Sequence, residues 1–270
     1  MAVQKIDYAF LDSGTGGIPY LVHLLNQSPG SSCIYVGDTL NFPYGEKTHE
    51  QIINCVFSVV RLILSKYNPK VFVIACNTMS VNCLDILREA FPDKKFVGTV
   101  PAIKTAGEIS EKRIIGLLGT NSTVKSPYNK DLKNHFAADC KLILRGDPEL
   151  ISFIEHKSFT ATEQQIKDAC KDSIEFFRAN DCDVIVLGCT HFLNIREQMQ
   201  SVAGKSMKVI DSREGVVKRA LSLGGKKIIY NPFNKKRACL FVTGFCNEQD
   251  KLEYDVICTK NNLDFKGQLS

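Results

Sequence analysis

The chain has 270 residues, 44% of them hydrophobic, which is enough for one large or two medium domains with buried cores. Its 34 basic and 29 acidic side chains give a net charge of +5 and are scattered, so no nucleic-acid-binding surface is indicated. No apolar run has the roughly 18 residues of a membrane helix, and the N-terminus is not predicted to be a signal peptide. The 11 cysteines show neither zinc-binding nor disulfide-framework spacing, which favours a cytoplasmic protein with reduced thiols.

Predicted strands and helices alternate along the chain. The predicted strands cover residues 8–11, 32–36, 71–75, 96–100, 114–118, 141–144, 184–187, 209–211 and 238–243. The predicted helices cover residues 18–26, 48–67, 77–90, 128–136, 161–178, 195–202 and 213–223, followed by a loop or flexible connection at 224–238 and a weak closing helix. This order predicts an α/β protein with two pseudo-symmetric, doubly wound domains and mostly parallel sheets.

Two of the predicted strands end in a cysteine. The strand at 71–75 leads directly to Cys76, and the strand at 184–187 leads through Gly188 to Cys189. Ligands of open α/β folds bind at the carboxyl ends of parallel strands, and the helix start that follows each cysteine stabilises a thiolate. The pattern therefore predicts two thiols, one from each half, that face each other across a cleft. This arrangement suits a reaction that needs a base on one face of a carbon and an acid on the other.

Other polar residues occupy positions where chemistry is common. Asp12 ends the first predicted strand, where it either assists a neighbouring thiol or caps the next helix. The glycine-rich loop after it lacks the full dinucleotide-binding spacing, so we interpret it as a tight turn whose amides and Ser13 hydroxyl bind a small anion. His191 lies two residues after Cys189 and can tune that thiol. Glu155 ends the apolar run 150–154, at the end of a strand or a helix.

Taken together, these segments resemble glutamate racemases, of the cofactor-independent aspartate/glutamate racemase superfamily. The matching segments are 10–17 (FLDSGTGG), 43–45 (PYG), 75–78 (ACNT), 119–123 (GTNST), 188–191 (GCTH) and 242–244 (VTG). Each segment is unspecific alone, but the set occurs in the family's order over nearly the whole chain. One departure precedes Glu155, where the family often has Cys-Pro and this chain has Asp147-Pro148.

The resemblance implies two α/β domains, residues 1–101 with 209–270 and residues 102–208, with the active site between them. It implies interconversion of L- and D-glutamate, which supplies D-glutamate for peptidoglycan, with no pyridoxal phosphate, other cofactor or metal. The catalytic residues would be Cys76 acting on D-glutamate with help from Asp12, and Cys189 acting on L-glutamate with help from Glu155 and His191. The substrate-binding residues would be Asp12, Ser13, Pro43, Tyr44, Gly45, Asn77, Thr78, Thr120, Thr123, Thr190 and His191.

Three alternatives remain open from the sequence. One is racemisation of another amino acid such as aspartate, although the Pro43-Tyr44-Gly45 segment favours glutamate. Another is a small-anion-binding module whose thiols are merely buried. Taken alone, Pro43-Tyr44-Gly45 is most simply interpreted as a turn. The third and least favoured is a thiol redox role. The expected partner is a small-molecule substrate rather than nucleic acid or membrane, and a homodimer is compatible with the sequence.

Overall fold

The computed structural model describes residues 3–228, 238–245 and 248–270. Its strands are β1 (Gln4–Asp12), β2 (Cys33–Gly37), β3 (Tyr67–Ile74), β4 (Lys95–Gly98), β5 (Ile114–Gly119), β6 (Lys141–Gly146), β7 (Val184–Leu187), β8 (Lys208–Ile210), β9 (Cys239–Val242) and β10 (Asp264–Gln268). Its α-helices are α1 (Ile18–Gln27), α2 (His49–Lys66), α3 (Asn77–Ala90), α4 (Ile103–Ile109), α5 (Asn121–Lys125), α6 (Pro127–Phe136), α7 (Pro148–His156), α8 (Glu163–Ala179), α9 (Arg196–Ala203), α10 (Arg213–Gly224) and α11 (Glu248–Lys260). Short 3-10 helices lie at Thr39–Asn41, Tyr44–Glu46 and Thr190–Ile195.

The first compact unit is formed by the described residues of Met1–Thr99 and Arg213–Ser270. Its six strands are parallel and lie in the order β10-β9-β2-β1-β3-β4. Strand β1 lies inside the sheet, with Tyr8 beside Cys33 of β2 on one side and Val71 of β3 on the other. Residues 6–12 of β1 are buried on both faces, which explains their nearly continuous apolar sequence.

The second unit is formed by Val100–Ser212. Its four described strands are also parallel, in the order β6-β5-β7-β8. Strands β5 and β7 are buried and share a core with α4, to which Ile103, Ile115 and Val186 contribute. The edge strand β6 is only partly buried. Each unit thus has its own parallel sheet, as the sequence predicts for the fold class.

Two long helices begin with the same capping arrangement. In α2, the Thr48 side chain accepts a hydrogen bond from the Gln51 amide, and the Gln51 side chain accepts one from the Thr48 amide. Thr162 and Gln165 do the same at the start of α8. Each pair satisfies two backbone donors that a helix start otherwise leaves unpaired. Thr48 is therefore the N-cap of α2, inside the predicted helix at 48–67.

Several predicted elements need correction. The chain does not close with a helix, because α11 is followed by β10, which pairs with β9. The short helices α4 and α5 were not predicted, since neither has enough turns to show helical periodicity. Of the predicted connection at 224–238, residues 229–237 lie outside the described residues. Gly225 and Lys227 are held by the Tyr8 hydroxyl and the Ser28 hydroxyl, at 2.5 and 2.7 Å. None of the described helices has the length and apolar content of a bilayer span.

Candidate active site

Asp12 and Cys76 lie at neighbouring strand ends in the first unit. β1 and β3 are adjacent, with Leu11 opposite Ile74, so their carboxyl ends lie side by side. The Ala75 amide donates to the Leu11 carbonyl at 2.7 Å, which fixes the backbone just before Cys76. Cys76 is 5% exposed, occupies the N-cap position of α3, and has its Sγ 3.7 Å from the Ser13 hydroxyl. The structure therefore places Asp12 and Cys76 at the ends of adjacent strands, as the interpretation of Asp12 as a neighbour of a thiol requires.

The Asp12 carboxylate is completely buried and held in one orientation. Its Oδ2 accepts hydrogen bonds from the Gly17 amide at 2.7 Å and the Tyr35 hydroxyl at 2.9 Å. A Cβ on Gly17 would lie 2.7 Å from the Ala75 Cβ. Only glycine, which has no Cβ, therefore allows the loop to come this close to the residue that follows β3. Tyr35 was missed in the sequence, because its role depends on β2 lying next to β1.

Asn77 carries a buried polar side chain in the first unit. It is the first residue of α3, directly after Cys76, and is 2% exposed. Neither its Nδ2 nor its Oδ1 has a hydrogen-bond partner in the described part of the chain. A buried polar group without a partner costs about 1–3 kcal/mol, so such groups are rare in folded proteins. The neighbouring Thr78 is also buried.

The Pro43-Tyr44-Gly45 segment is hydrogen-bonded to Asp38, the residue that follows β2. Asp38 is fully buried, and its carboxylate accepts hydrogen bonds from the Tyr44 hydroxyl and from the Thr243 hydroxyl at 2.7 Å. Burial, followed by the charge of Asp38, raises the pKa of Tyr44 far above its usual range, so its phenol stays protonated as a donor. Pro43 is exposed and Gly45 is half-buried. Asp38 was not among the predicted site residues, although it comes directly after β2 and Asp12 is the last residue of the adjacent β1.

In the second unit, Cys189, His191 and Glu155 form a connected triad. The Cys189 Sγ lies 3.5 Å from His191 Nδ1, and His191 Nε2 lies 2.9 Å from Glu155 Oε2. All three are buried, at 5%, 2% and 7% exposure. Glu155 lies near the end of helix α7, not of a strand, which resolves the alternative that the sequence left open. The triad is thus contributed by the segment after β7 together with α7.

The surroundings of His191 favour its charged form. Burial acts to lower its pKa, but the negative charge that Cys189 can carry and the hydrogen bonds of the imidazole with Cys189 and Glu155 outweigh this effect and raise the pKa well above the usual value. The imidazole nitrogens face a sulfur on one side and a carboxylate on the other, so a protonated ring can donate to both. The arrangement therefore stabilises the imidazolium form of His191 between Cys189 and Glu155.

The remaining predicted residues of the second unit flank α5 and β7. The Thr120 side chain caps α5 by accepting from the Thr123 amide at 3.0 Å, and the two hydroxyls are also 3.0 Å apart. Asn129 donates to the Thr123 carbonyl at 2.5 Å. Thr190 is buried directly after Cys189. Within the described ranges, no cluster of three or more His, Cys, Asp or Glu side chains is arranged to hold a metal ion.

The predicted residues thus fall into two groups, one in each unit. The first unit holds Asp12, Ser13, Pro43, Tyr44, Gly45, Cys76, Asn77 and Thr78, and the second unit holds Thr120, Thr123, Glu155, Cys189, Thr190 and His191. Each group contains one thiol, at least one carboxylate and several hydroxyl or amide groups.

Comparison with known proteins identifies relatives over most of the chain. The Asp/Glu/Hydantoin racemase family matches residues 19–220. Glutamate racemase of Treponema pallidum is 41% identical over 220 residues, which cover 82% of each chain. Glutamate racemase of Shewanella piezotolerans is 38% identical over 213 residues, or 78% of each chain. A crystal structure of Escherichia coli glutamate racemase, in complex with L-glutamate and the activator UDP-MurNAc-ala, is 27% identical, with a TM-score of 0.82 over 100% of this chain and 99% of that one.

Proposed function

Because the chain belongs to the Asp/Glu/Hydantoin racemase family, we propose that it interconverts L- and D-glutamate without a cofactor or metal. The curated relatives at 38–41% identity are glutamate racemases, and the similar Escherichia coli structure contains L-glutamate. The observation that carries the proposal is the pair Cys76 and Cys189. Each thiol follows a buried parallel strand and has its own polar neighbours, as a reaction with two proton-transferring groups requires.

In the proposed mechanism, the two thiols act on opposite faces of the α-carbon. The Cys189 thiolate removes the α-proton of L-glutamate, and the Cys76 thiol delivers a proton to the other face, which yields D-glutamate. The reverse reaction exchanges these roles. On the Cys189 side, His191 and Glu155 support the thiolate, and on the Cys76 side the buried Asp12 carboxylate plays the supporting part. Oriented dipoles and exclusion of water must stabilise the carbanion that forms between the two transfers.

The unpartnered amide of Asn77 suits an amino-acid zwitterion. Its Oδ1 can accept a hydrogen bond from the α-ammonium group, and its Nδ2 can donate one to the α-carboxylate. We assign Ser13, Thr78 and Thr190 to the same end of the substrate. The side-chain carboxylate is assigned to the Pro43-Tyr44-Gly45 segment with Thr120 and Thr123. Because the Tyr44 hydroxyl already donates to Asp38, this segment would bind through its backbone amides rather than through the phenol.

The same proposal has a cellular part and two alternatives. D-glutamate made in the cytoplasm would supply peptidoglycan synthesis, and a homodimer is compatible with this proposal. The alternatives are a racemase of aspartate and a small-anion-binding module. Aspartate as the preferred substrate would support the first, and glutamate binding without turnover would support the second.

The primary test is a chiral assay of purified protein with pure L- or D-glutamate, after exhaustive chelation and without pyridoxal phosphate. We expect both enantiomers to be converted. Cys76→Ala and Cys189→Ala should each abolish racemisation, whereas Cys170→Ala, which removes a fully buried thiol of α8, should leave turnover near the wild-type rate. A strict requirement for metal or pyridoxal phosphate would refute the proposal. Near-normal turnover in either candidate variant would refute the assignment of the two thiols.

Hydrogen exchange in heavy water separates the two thiols. Enantiomers have equal free energies, so every active variant must keep kcat/KM equal in the two directions, and steady-state rates cannot assign a thiol to one face. Early D-glutamate formed from L-glutamate should carry deuterium, because its proton comes from a thiol that has equilibrated with solvent. Cys76→Ala should slowly exchange the α-hydrogen of L-glutamate only, and Cys189→Ala that of D-glutamate only. Early product that retains most of its original α-hydrogen would exclude the two-thiol mechanism.

A further inference from the structure

The Cys189 triad has the geometry of an activated nucleophile. A thiol lies within reach of one imidazole nitrogen, at 3.5 Å, and a carboxylate holds the other nitrogen, at 2.9 Å. A nucleophile that contacts a base, with a third group that orients the base, is the structural signature of covalent catalysis by cysteine and serine hydrolases. All three residues belong to Val100–Ser212, so the second unit contains the whole assembly.

Other buried thiols of the same unit lack this environment. Cys170 is fully buried, and its Sγ donates to the Lys167 carbonyl at 3.3 Å. Burial raises the pKa of Cys170 to about 11, and it raises the pKa of Cys182 to about 11 as well. At neutral pH both remain thiols, which are poor nucleophiles. Cys189 instead has its Sγ 3.5 Å from His191 Nδ1, so a base that can take the thiol proton lies within hydrogen-bond reach.

We propose that Cys189 also acts as a nucleophile toward small carboxylic esters, so that the second unit carries an acyl-transfer activity besides racemisation. The substrate class is a small, activated ester whose carbonyl carbon takes the place of an α-hydrogen in front of the sulfur. The inference rests on contacts within one unit and does not depend on the proposed racemisation of glutamate.

The chemistry balances without an oxidant or a further cofactor. The thiolate attacks the carbonyl carbon, a C–S bond forms, and the carbonyl electron pair moves to oxygen. When this intermediate collapses, the C–O bond to the alcohol breaks and leaves a thioester on Cys189. The alcohol takes its proton from the His191 imidazolium. A nitrophenolate instead leaves as the anion, and the imidazolium then releases its proton to solvent, so His191 is neutral before deacylation in both cases. Water then attacks the thioester while His191 accepts its proton, and the free acid and the thiolate are restored.

The test uses p-nitrophenyl acetate with the full-length protein. We expect a burst of p-nitrophenolate close to one equivalent per chain, and peptide mass spectrometry should find the acetyl group on Cys189. Cys189→Ala should remove the burst, and the matched variant Cys170→Ala should keep it. Glu155→Gln, which preserves the size of the side chain, should slow the burst at least ~10-fold, because the third member of a triad orients the base. His191→Ala should slow it by ~100-fold or more.

Three results would overturn the inference. These are the absence of a burst in the wild-type protein, a burst that survives Cys189→Ala, and a burst rate that Glu155→Gln leaves unchanged. If His191→Ala does not fold, the Glu155→Gln rate and the labelled peptide decide the question. The chiral glutamate assay on the same sample keeps the two proposals apart. Racemisation without a burst refutes only the acyl transfer, and a burst without racemisation refutes only the proposed racemase function.

Discussion

Replacing Asn77 with alanine should weaken substrate binding while leaving the free protein as stable as before, or more stable. Its buried amide lacks a hydrogen-bond partner within the described residues, so its removal relieves a penalty of about 1–3 kcal/mol. The substitution also removes three heavy atoms, roughly 50 Å³, and at about 24 cal/mol per Å³ the resulting cavity costs about 1.2 kcal/mol. The net change in unfolding free energy is therefore about 0 to +2 kcal/mol. The melting temperature should stay constant or rise by several degrees.

The liganded protein should respond in the opposite direction. At a glutamate concentration of about 100 times the wild-type Kd, binding stabilises the folded state by about 2.7 kcal/mol. Loss of two hydrogen bonds to charged groups, at about 1.5–3 kcal/mol each, weakens binding ~100-fold or more. At the same glutamate concentration, the variant should then gain at most about 0.4 kcal/mol. Thermal unfolding with and without L-glutamate measures both effects, and KM should rise in the chiral assay.

Asn129 provides a matched control for the stability of the free protein. It is 1% exposed, like Asn77, but its Nδ2 donates to the Thr123 carbonyl at 2.5 Å. Its Oδ1 lacks a partner within the described residues, so Asn129→Ala removes one hydrogen bond together with one unpartnered atom. Because the substitution leaves the Thr123 carbonyl without this donor, the melting temperature of Asn129→Ala should fall below that of Asn77→Ala. If Asn77→Ala lost as much stability as Asn129→Ala, or kept the full stabilisation by glutamate, the reasoning about the Asn77 amide would be wrong.

Three further outcomes follow from contacts in the two units. Burial acts to raise the pKa of Asp7, but its contacts with Lys227, Ser32 and Lys70 lower the pKa below the usual range. The ionised carboxylate should therefore stabilise the fold above pH ~4, and this stabilisation should be lost as the pH falls through the folded-state pKa. Asp7→Asn should cost roughly 1–3 kcal/mol at pH 7 in urea unfolding and flatten the acid limb of the stability curve, and an unchanged acid limb would contradict the assignment. Asp147→Ala removes the N-cap of α7 and should lower kcat, and Asp147→Asn should restore kcat. Thr162→Ala removes a comparable cap of α8 and should lower only stability. Equal losses of kcat in Asp147→Ala and Thr162→Ala would rule out a special role for the α7 cap. Gly17→Ala should disrupt the loop that orients Asp12 and reduce turnover at least ~10-fold in the chiral assay, and wild-type turnover would show that the loop tolerates a Cβ.

The sequence predicted the strand ends better than the contacts around them. Both thiols lie where the apolar runs predicted them, because a buried parallel strand is recognisable from its own residues. Tyr35 and Asp38 were missed, since their importance depends on hydrogen bonds to Asp12 and Thr243, which sequence periodicity cannot reveal. Strand β10 was missed because its sequence, DFKGQ, is polar and contains a glycine, and only its pairing with β9 makes it a strand.

Asp147 shows how a departure from a family pattern can be understood from structure. Its Oδ1 accepts a hydrogen bond from the Leu150 amide at 3.0 Å, so it caps α7, the helix that carries Glu155. Its Oδ2 accepts a hydrogen bond from Ser173, which joins the start of α7 to α8. The sequence alone showed only that Asp-Pro stands where Cys-Pro is common. The capping role explains why aspartate is suitable at this position.

The discontinuous first unit has a consequence for synthesis on the ribosome. Strand β2 pairs with β9, yet the two are separated by about 200 residues, which include the whole second unit. At about 5–20 residues per second, translation leaves the edge of β2 without its neighbour for roughly 10–40 s. The second unit is continuous in sequence and has its own core, so it can fold during that interval. An open edge of a parallel sheet is prone to association with other chains. The yield of soluble protein should therefore depend on chaperones and on the rate of elongation more than on the stability of the finished fold.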